Sequence, residues 1–209
     1  MRRFDLRDPL FLALLPALAL AVALAAPTTA RASPDASAER SAGDDGGETL
    51  LLVGMRGAWV SQIGMTDEAR GLEGFGVLYG ERHGGWLTTE LRADLLWDEA
   101  VTSGAIQAAL MYDAGGMWSP VVGAWMGYRG SVVDLGEGAS LGAHDVLLGL
   151  ELGGRLRIGP FTGEITGQAA TAALSDRSVS GAGQVVGARS VDFGELAELS
   201  FAARVGFTF

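Results

Sequence analysis

Cysteine and lysine are both absent from the 209-residue sequence, and histidine occurs only twice. Without cysteine the chain has no disulfide scaffold, no thiolate zinc site, no thiol nucleophile and no lipidated cysteine of the lipoprotein type. Two histidines without cysteine also argue against a dedicated transition-metal site. The net charge of -10 argues against binding of nucleic acid, whose phosphates select a basic surface. We therefore expect no metal, no cofactor and no nucleic-acid partner.

Long apolar runs are absent too, except near the N-terminus. Three arginines there precede an apolar stretch at 10–26, and small residues lead up to a suitable cleavage point after Ala32. This pattern predicts a secretory signal peptide over 1–32. Residues 33–47 are small, polar and charged, so we predict a disordered periplasmic leader there.

From residue 48 onward the sequence consists of short alternating runs separated by glycine, which is typical of an all-β domain. We expect eight strands, at 50–63, 75–82, 86–97, 105–112, 118–133, 145–158, 161–173 and 194–209. The connectors between them alternate in length, with long polar ones at 64–74, 98–104, 134–144 and 174–193. This alternation predicts an up-and-down meander in which all tight turns and both mature termini share one end.

Apolar and polar residues alternate along the runs, which sends neighbouring side chains to opposite faces. The aromatic residues of the apolar face form one band near the tight turns and another near the long connectors. These predicted aromatic girdles consist of Tyr79, Tyr112, Trp118, Phe161 and Phe209 in the first band and Trp59, Phe75, Trp97 and Tyr128 in the second. Two girdles around an apolar belt are typical of a membrane-spanning barrel. A soluble periplasmic lipocalin-like binding protein, with the apolar face inside, is an alternative.

The opposite face carries charges of both signs. We predict a lumen charge network formed by Arg56, Arg82, Glu90, Arg92, Asp94, Arg129, Glu151, Arg155, Arg157, Glu164, Glu198 and Arg204. Isolated charges in so narrow a barrel would be costly, so we expect them to pair and to plug the lumen. The alternative is a charged constriction that passes small solutes.

The C-terminal run gives the clearest sequence pattern. Phe209 is the last residue, and Phe201, Val205 and Phe207 precede it on the same face. This resembles the terminal strand signature that the barrel-assembly machinery recognises. Together with eight runs and a signal peptide, the chain resembles in architecture the small outer-membrane barrels of the OmpA, OmpX and OmpW kind.

The resemblance implies an eight-stranded antiparallel up-and-down transmembrane β-barrel over 48–209, located in the bacterial outer membrane with both mature termini in the periplasm. It also implies outer-membrane lipid and the barrel-assembly machinery as partners. We predict a small non-catalytic barrel with a structural or surface-interaction role. The alternative function is a narrow pore or OmpW-like transporter of small or apolar solutes. No residue pattern indicates which partner meets the long connectors.

Since some enzymes use this scaffold, both histidines need an interpretation. His83 falls in a tight turn, and His144 lies at the connector end of the sixth run. The position of His144 permits a hydrolase triad with nearby polar residues, namely Ser131, Asp134, Glu137 and Ser140. We interpret His144 as a polar rim residue and predict no catalytic residues.

The turn at 159–160 has two residues, Gly159 and Pro160, which sets the pairing of the sixth and seventh runs. With the apolar faces aligned, the turn places Arg155 opposite Glu164, Glu151 opposite Gln168, and Arg157 opposite Thr162, all on the charged face.

Overall fold

The computed structural model describes residues 47–61, 69–136, 139–181, 184–190 and 196–209. The predicted signal peptide and nearly all of the predicted leader lie outside these residues. Among the described residues no helix is long and apolar enough to cross a membrane.

The described residues form nine strand segments in one antiparallel sheet. They are β1 (Glu48–Val60), β2 (Arg70–His83), β3 (Leu87–Trp97), β4 (Val101–Asp113), β5 (Trp118–Gly136), β6 (Ala139–Ile158), β7 (Phe161–Gly181), β8 (Gln184–Ser190) and β9 (Leu196–Thr208). Each strand from β1 to β7 pairs with the next in sequence, and β9 pairs with both β7 and β1, so the sheet closes. The result is an all-β barrel of eight strands, in which β8 and β9 together form the eighth.

The eighth strand of the barrel consists of two segments. β9 pairs with β7 from Phe161 to Thr171, whereas β8 pairs with β7 from Ser175 to Gly181. β8 and β9 therefore follow one another along the same edge of β7.

The turns at one end have the local sequences that such turns need. Gly84 and Gly85 adopt positive φ angles of 58° and 80° between β2 and β3, and Gly159 has a φ of 60° between β6 and β7. Backbone of this kind favours glycine because it has no Cβ. The register predicted for β6 and β7 is confirmed, with Arg155 opposite Glu164.

The predicted alternation of connector length is wrong in detail, because the strands continue into the regions expected to be loops. The connector between β3 and β4 is only residues 98–100, and β5, β6 and β7 are 19, 20 and 21 residues long. Most of the predicted loop at 174–193 is strand. Its polar residues do not prevent pairing, because a hairpin that rises above an apolar belt can present polar side chains on both faces. The asymmetry of the barrel therefore lies in strand height.

Three apolar clusters line the inside. The loop-end cluster takes one or two residues from each of the strands β1 to β6, namely Ala58, Val60, Leu72, Leu96, Val101, Val133 and Leu141. A second cluster, around Trp125, comprises Ala109, Met111, Val121, Trp125, Leu147, Ala170, Ala172 and Ala197. Leu50, Leu52 and Leu78 form a third cluster toward the turn end. Buried charged residues lie on the same inner face.

Candidate functional site in the barrel lumen

All twelve charged side chains predicted for the lumen lie on the inner face. Ten of them are buried, and Arg82 and Arg157, close to the turn end, are partly exposed. Four further charged residues join their ion pairs: Glu48, Asp113, Asp145 and Arg177. The network therefore contains eight arginines and eight carboxylates.

The four missed residues differ in how far the pattern could have identified them, and Glu48 was missed because it precedes the first predicted run. Asp145 has the same alternation parity as Glu151 and Arg155 on β6, so the pattern could have identified it. Asp113 fell in a predicted turn and Arg177 in a predicted loop. Both became part of strands only because β4 and β7 extend farther than expected.

Arg155 is the centre of the network near the turn end. Its Nη1 donates to Asp113 Oδ2 at 2.7 Å, its Nη2 to Glu90 Oε1 at 2.7 Å, and its Nε to Glu164 Oε2 at 3.0 Å. Glu164 also accepts a hydrogen bond from Arg204 Nη1 at 2.9 Å. The planar guanidinium suits this arrangement, since its donors point outward in fixed directions to several carboxylates.

Ion pairs continue from Arg155 to the turn-end mouth of the barrel. Asp113 pairs with Arg157 as well as with Arg155. Arg157 Nε lies 3.6 Å from Glu48 Oε1, and Arg82 Nη1 donates to Glu48 Oε2 at 2.9 Å. The mouth is therefore lined by the partly exposed end of the same network.

A second set of pairs lies toward the loop end. Arg56 pairs with Asp94 and Glu198. Arg129 Nη1 donates to Glu198 Oε2 at 3.0 Å, and its Nη2 donates to Asp145 Oδ2 at 2.7 Å. Arg177, on the upper part of β7, reaches the same Asp145 at 2.7 Å.

Gln168 connects the two sets. Its Oε1 accepts a hydrogen bond from Arg56 Nη2 at 2.8 Å, and its Nε2 donates to Glu151 Oε2 at 2.9 Å. Glu151 in turn pairs with Arg92, whose Nε donates to Glu90 at 3.0 Å. We call the two sets the turn-side half (Glu48, Arg82, Glu90, Arg92, Asp113, Glu151, Arg155, Arg157, Glu164 and Arg204) and the loop-side half (Arg56, Asp94, Arg129, Asp145, Arg177 and Glu198). Each half contains equal numbers of positive and negative groups.

The outer surface has the opposite composition. Large apolar side chains are exposed there, including Leu150 and Leu152, each 70 % exposed, and Val205 at 65 %. A soluble lipocalin-like barrel requires the reverse arrangement, with the apolar face inside and the charges in water.

All nine residues predicted for the aromatic girdles lie on this outer surface, and several are in ring contact with another aromatic residue. Near the loop end Trp59 contacts Phe201 with a centroid separation of 6.0 Å, and Phe75 contacts Trp97 at 5.8 Å. Near the turn end Phe161 contacts Phe207 at 5.1 Å. Trp86 is a further outer aromatic residue that the sequence pattern missed, because it lies in the turn before β3 and contacts Tyr112.

Comparison with known proteins supports the architecture. The chain is similar to Neisserial surface protein A, with a TM-score of 0.51 and 14% identity over 78% of this chain and 97% of that one. It is also similar to the outer membrane protein OprG from Pseudomonas aeruginosa, with a TM-score of 0.55 and 14% identity over 78% of this chain and 96% of that one. The fold is that of the small outer-membrane β-barrels. No family model matches the sequence, and no curated protein matches it.

Within this outer-membrane barrel fold, the triad that the sequence permits around His144 does not form. His144 lies on the outer face, where its ring stacks on Tyr128 with a centroid separation of 5.9 Å. Ser131 lies on the inner face and donates a hydrogen bond to Ser103 Oγ at 2.9 Å. The wall of the barrel separates the two. Asp134 and Ser140 are opposite each other, four positions along β5 and β6 from the pair formed by Gly130 and His144. Glu137 lies outside the described residues.

His83 lies at the turn end, where its Nε2 is 2.9 Å from Thr89 Oγ1. In the described part of the chain no three His, Asp or Glu side chains are grouped so that they could hold a metal ion. The two histidines lie at opposite ends of the outer surface, His83 at the turn end and His144 toward the loop end.

Proposed function

We propose that this chain is a bacterial outer-membrane barrel with a sealed lumen, which acts as a structural or surface-interaction protein without catalysis. Support for the membrane location comes from the exposed apolar belt, the aromatic girdles and the fold. A surface of this kind is stable only in contact with lipid.

The main support for a sealed lumen is the neutral ionic network that lies beneath the loop-end cluster. Arg92 and Arg155 are fully buried and each pairs with at least two carboxylates. Above the network, inward residues of six adjacent strands, such as Val60, Leu96 and Val133, pack against one another. An ion entering from the loop end would lose its hydration against this apolar layer before it reached any charged group.

Conductance of the purified barrel in planar lipid bilayers tests this seal. We expect the wild-type protein to add no discrete conductance steps. The triple variant R92S/L96S/E151S removes one charge of each sign from the network and one large side chain from the apolar layer above it, so it is the open control and should conduct. Discrete steps from the wild-type protein would contradict the proposal.

One observation favours a narrow route as the second candidate function. Among the described residues, buried polar atoms such as Glu151 Oε1, Arg204 Nη2 and Trp125 Nε1 have no hydrogen-bond partner within the protein. Such atoms suit contacts with water or a small polar solute. Uptake of a small neutral solute into liposomes that contain the wild-type barrel, but not into protein-free liposomes, would favour this candidate.

The orientation is part of the proposal. Tight turns and both ends of the barrel domain lie at one end, since Thr49 and Phe209 exchange backbone hydrogen bonds of 2.8 and 3.0 Å. We place this end in the periplasm, and we place the tall hairpins of β5 with β6 and β7 with β8 outside the cell. Labelling of a cysteine introduced at Ser178 on intact cells should succeed, whereas one at Ala114, which is exposed in the turn between β4 and β5, should react only after lysis. The reverse pattern would overturn the orientation.

The assembly signal also remains a proposal. Phe201, Val205, Phe207 and Phe209 all point outward from β9, and each is at least half exposed. They are therefore free to meet a partner before lipid covers them. Deletion of Phe209 should lower the amount of folded, heat-modifiable barrel and leave export across the inner membrane unchanged. Equal amounts of folded barrel would contradict recognition by the barrel-assembly machinery.

A further inference from the structure

The buried polar side-chain atoms that lack a hydrogen-bond partner within the described part of the chain all belong to residues that face the lumen. They are Arg56 Nε, Arg82 Nε, Thr88 Oγ1, Asp94 Oδ1, Trp125 Nε1, Glu151 Oε1, Arg157 Nε and Arg204 Nη2. In folded proteins buried polar groups nearly always have a partner, and water supplies it where the protein does not. Because the set contains both donors and acceptors, water can serve all of its members.

The centre of this set lies between Glu151 of β6 and Arg204 of β9. Both side chains are buried and carry opposite charges, yet Glu151 Oε1 and Arg204 Nη1 are 4.0 Å apart, which is too long for a direct hydrogen bond. Glu151 Oε1 and Arg204 Nη2 have no hydrogen-bond partner in the described part of the chain. A donor and an acceptor at such a separation suit a bridging water molecule.

Trp125 extends the set toward the loop end. Its indole covers Gly149, the next inner position to Glu151 on β6, and its buried Nε1 has no acceptor among the described residues. An indole N–H normally finds an acceptor when it is buried. The other side chains of the cluster around Trp125 are apolar, so they offer it no oxygen acceptor.

The two ends of the lumen differ in how they meet water. At the turn end, Arg82 and Arg157 lie in the partly exposed mouth, and Thr88, which is opposite Arg82, carries the next unpartnered atom. At the loop end, the buried cluster that contains Leu96 and Val133 presents only apolar side chains to the lumen. The unpartnered atoms therefore continue to the mouth at the turn end only.

We propose that water enters the lumen at the turn end between Arg82 and Arg157, reaches the site between Glu151 and Arg204 and the indole of Trp125, and stops at the loop-end cluster. The lumen is then a blind hydrated pocket that opens to the side of the tight turns. This inference rests on the proposed seal at the loop end. It differs from a narrow route through the barrel, because solvent exchanges with one side of the membrane alone.

Nuclear magnetic resonance of the isotope-labelled, full-length mature chain in detergent micelles tests the proposal. The indole N–H of Trp125 is the probe, because it marks the inner part of the pocket. The chain has five tryptophans, and the variant W125F identifies the Trp125 signal. We expect a cross peak between water and this indole proton, and absence of that cross peak would overturn the proposal.

Two arginines at opposite ends of β2 show from which end the water enters. Arg82 pairs with Glu48 at the turn-end mouth, whereas Arg70 lies 3.7 Å from Asp98 at the loop end. R82A should speed deuterium exchange of the Trp125 indole severalfold, and the matched control R70A should leave the rate unchanged. In R82A, Glu48 keeps Arg157 as a neighbour, so we expect the barrel to fold. An unchanged rate in R82A, or faster exchange in R70A, would overturn entry from the turn end.

Conductance measured on the same protein separates this inference from the proposed function. A barrel that does not conduct and shows no water beside Trp125 would keep its seal and lose only the hydrated pocket. Discrete conductance steps would instead refute the seal on which the blind pocket depends.

Discussion

The inner and outer surfaces of the barrel come from the same strands, yet they depend on residue identity in different ways. On the outside, Leu150 and Leu152 are each 70 % exposed, so any apolar side chain of moderate size meets the same requirement. On the inside, Arg155 contacts three carboxylates and is fully buried. The outer surface therefore specifies where the barrel resides, whereas the inner surface specifies how its strands fit together.

Removal of Arg155 should have the largest effect. R155L leaves the carboxylates of Glu90, Asp113 and Glu164 without their shared partner in a buried site. Breaking one side of a buried ion pair usually costs about 3 to 5 kcal/mol. We expect a correspondingly lower urea midpoint for loss of the folded, heat-modifiable form. R177L is the comparison variant, because Arg177 is partly exposed and its partner Asp145 keeps Arg129, so it should cost less than R155L. Similar midpoints for the two variants would contradict the comparison.

A charge placed on the outer surface should have the next largest effect. Leu150 lies on β6 midway between His144 and Ile158, in the middle of the apolar belt. L150R should destabilise the inserted barrel by roughly 2 to 4 kcal/mol, because arginine is costly near the bilayer midplane. The control L150A keeps the position apolar and should fold in lipid vesicles nearly as well as wild type. If L150R folded in vesicles as efficiently as L150A, the outer face would not be in contact with lipid.

The link between the two halves of the network should give the smallest of these effects. Q168L removes the hydrogen bonds to Arg56 and Glu151, yet both residues keep their ion pairs. Loss of partners for buried polar groups costs about 1 to 3 kcal/mol. S200A, which removes a weaker neighbour of Arg56, is the control and should cost less. If S200A had a lower urea midpoint than Q168L, Gln168 would not be the residue that joins the two halves of the network.

The face that each residue occupies could be predicted from the sequence, because side chains alternate strictly between the two faces of a strand. Once Gly159 and Pro160 fixed the turn, the positions of Arg155 and Glu164 followed, and the structure has them paired. A shift by one residue would have moved the arginine into the apolar belt. That is why the register was the most predictable part of the candidate site.

Contacts across the lumen were not readable, since they depend on the curvature of the closed sheet. Trp125 of β5 turns inward and covers Gly149 of β6, where an added Cβ would meet the indole at 2.3 Å. The alternation pattern identifies both as inner positions but does not show that one must be glycine. Likewise, nothing in the spacing of Arg129 and Glu198 indicates that β5 and β9, which are not neighbours in the sheet, meet across the lumen.

The lengths of the strands were also not predicted correctly. Pairing beyond the apolar belt, as between Ser140 and Ser180, relies on backbone hydrogen bonds and hairpin closure, which leave no hydrophobic period in the sequence. The composition of these segments therefore resembled that of a loop, although the structure has paired strands there.

The equal numbers of arginines and carboxylates in each half of the network determine how the lumen responds to an electric field. A field across the membrane does about 2.3 kcal/mol of work per 100 mV on each unit charge that crosses it. When a neutral set of side chains moves together, the work done on its positive and negative members cancels. Neither the turn-side half nor the loop-side half therefore carries a gating charge, and a change of membrane voltage of either polarity has no net force with which to move it.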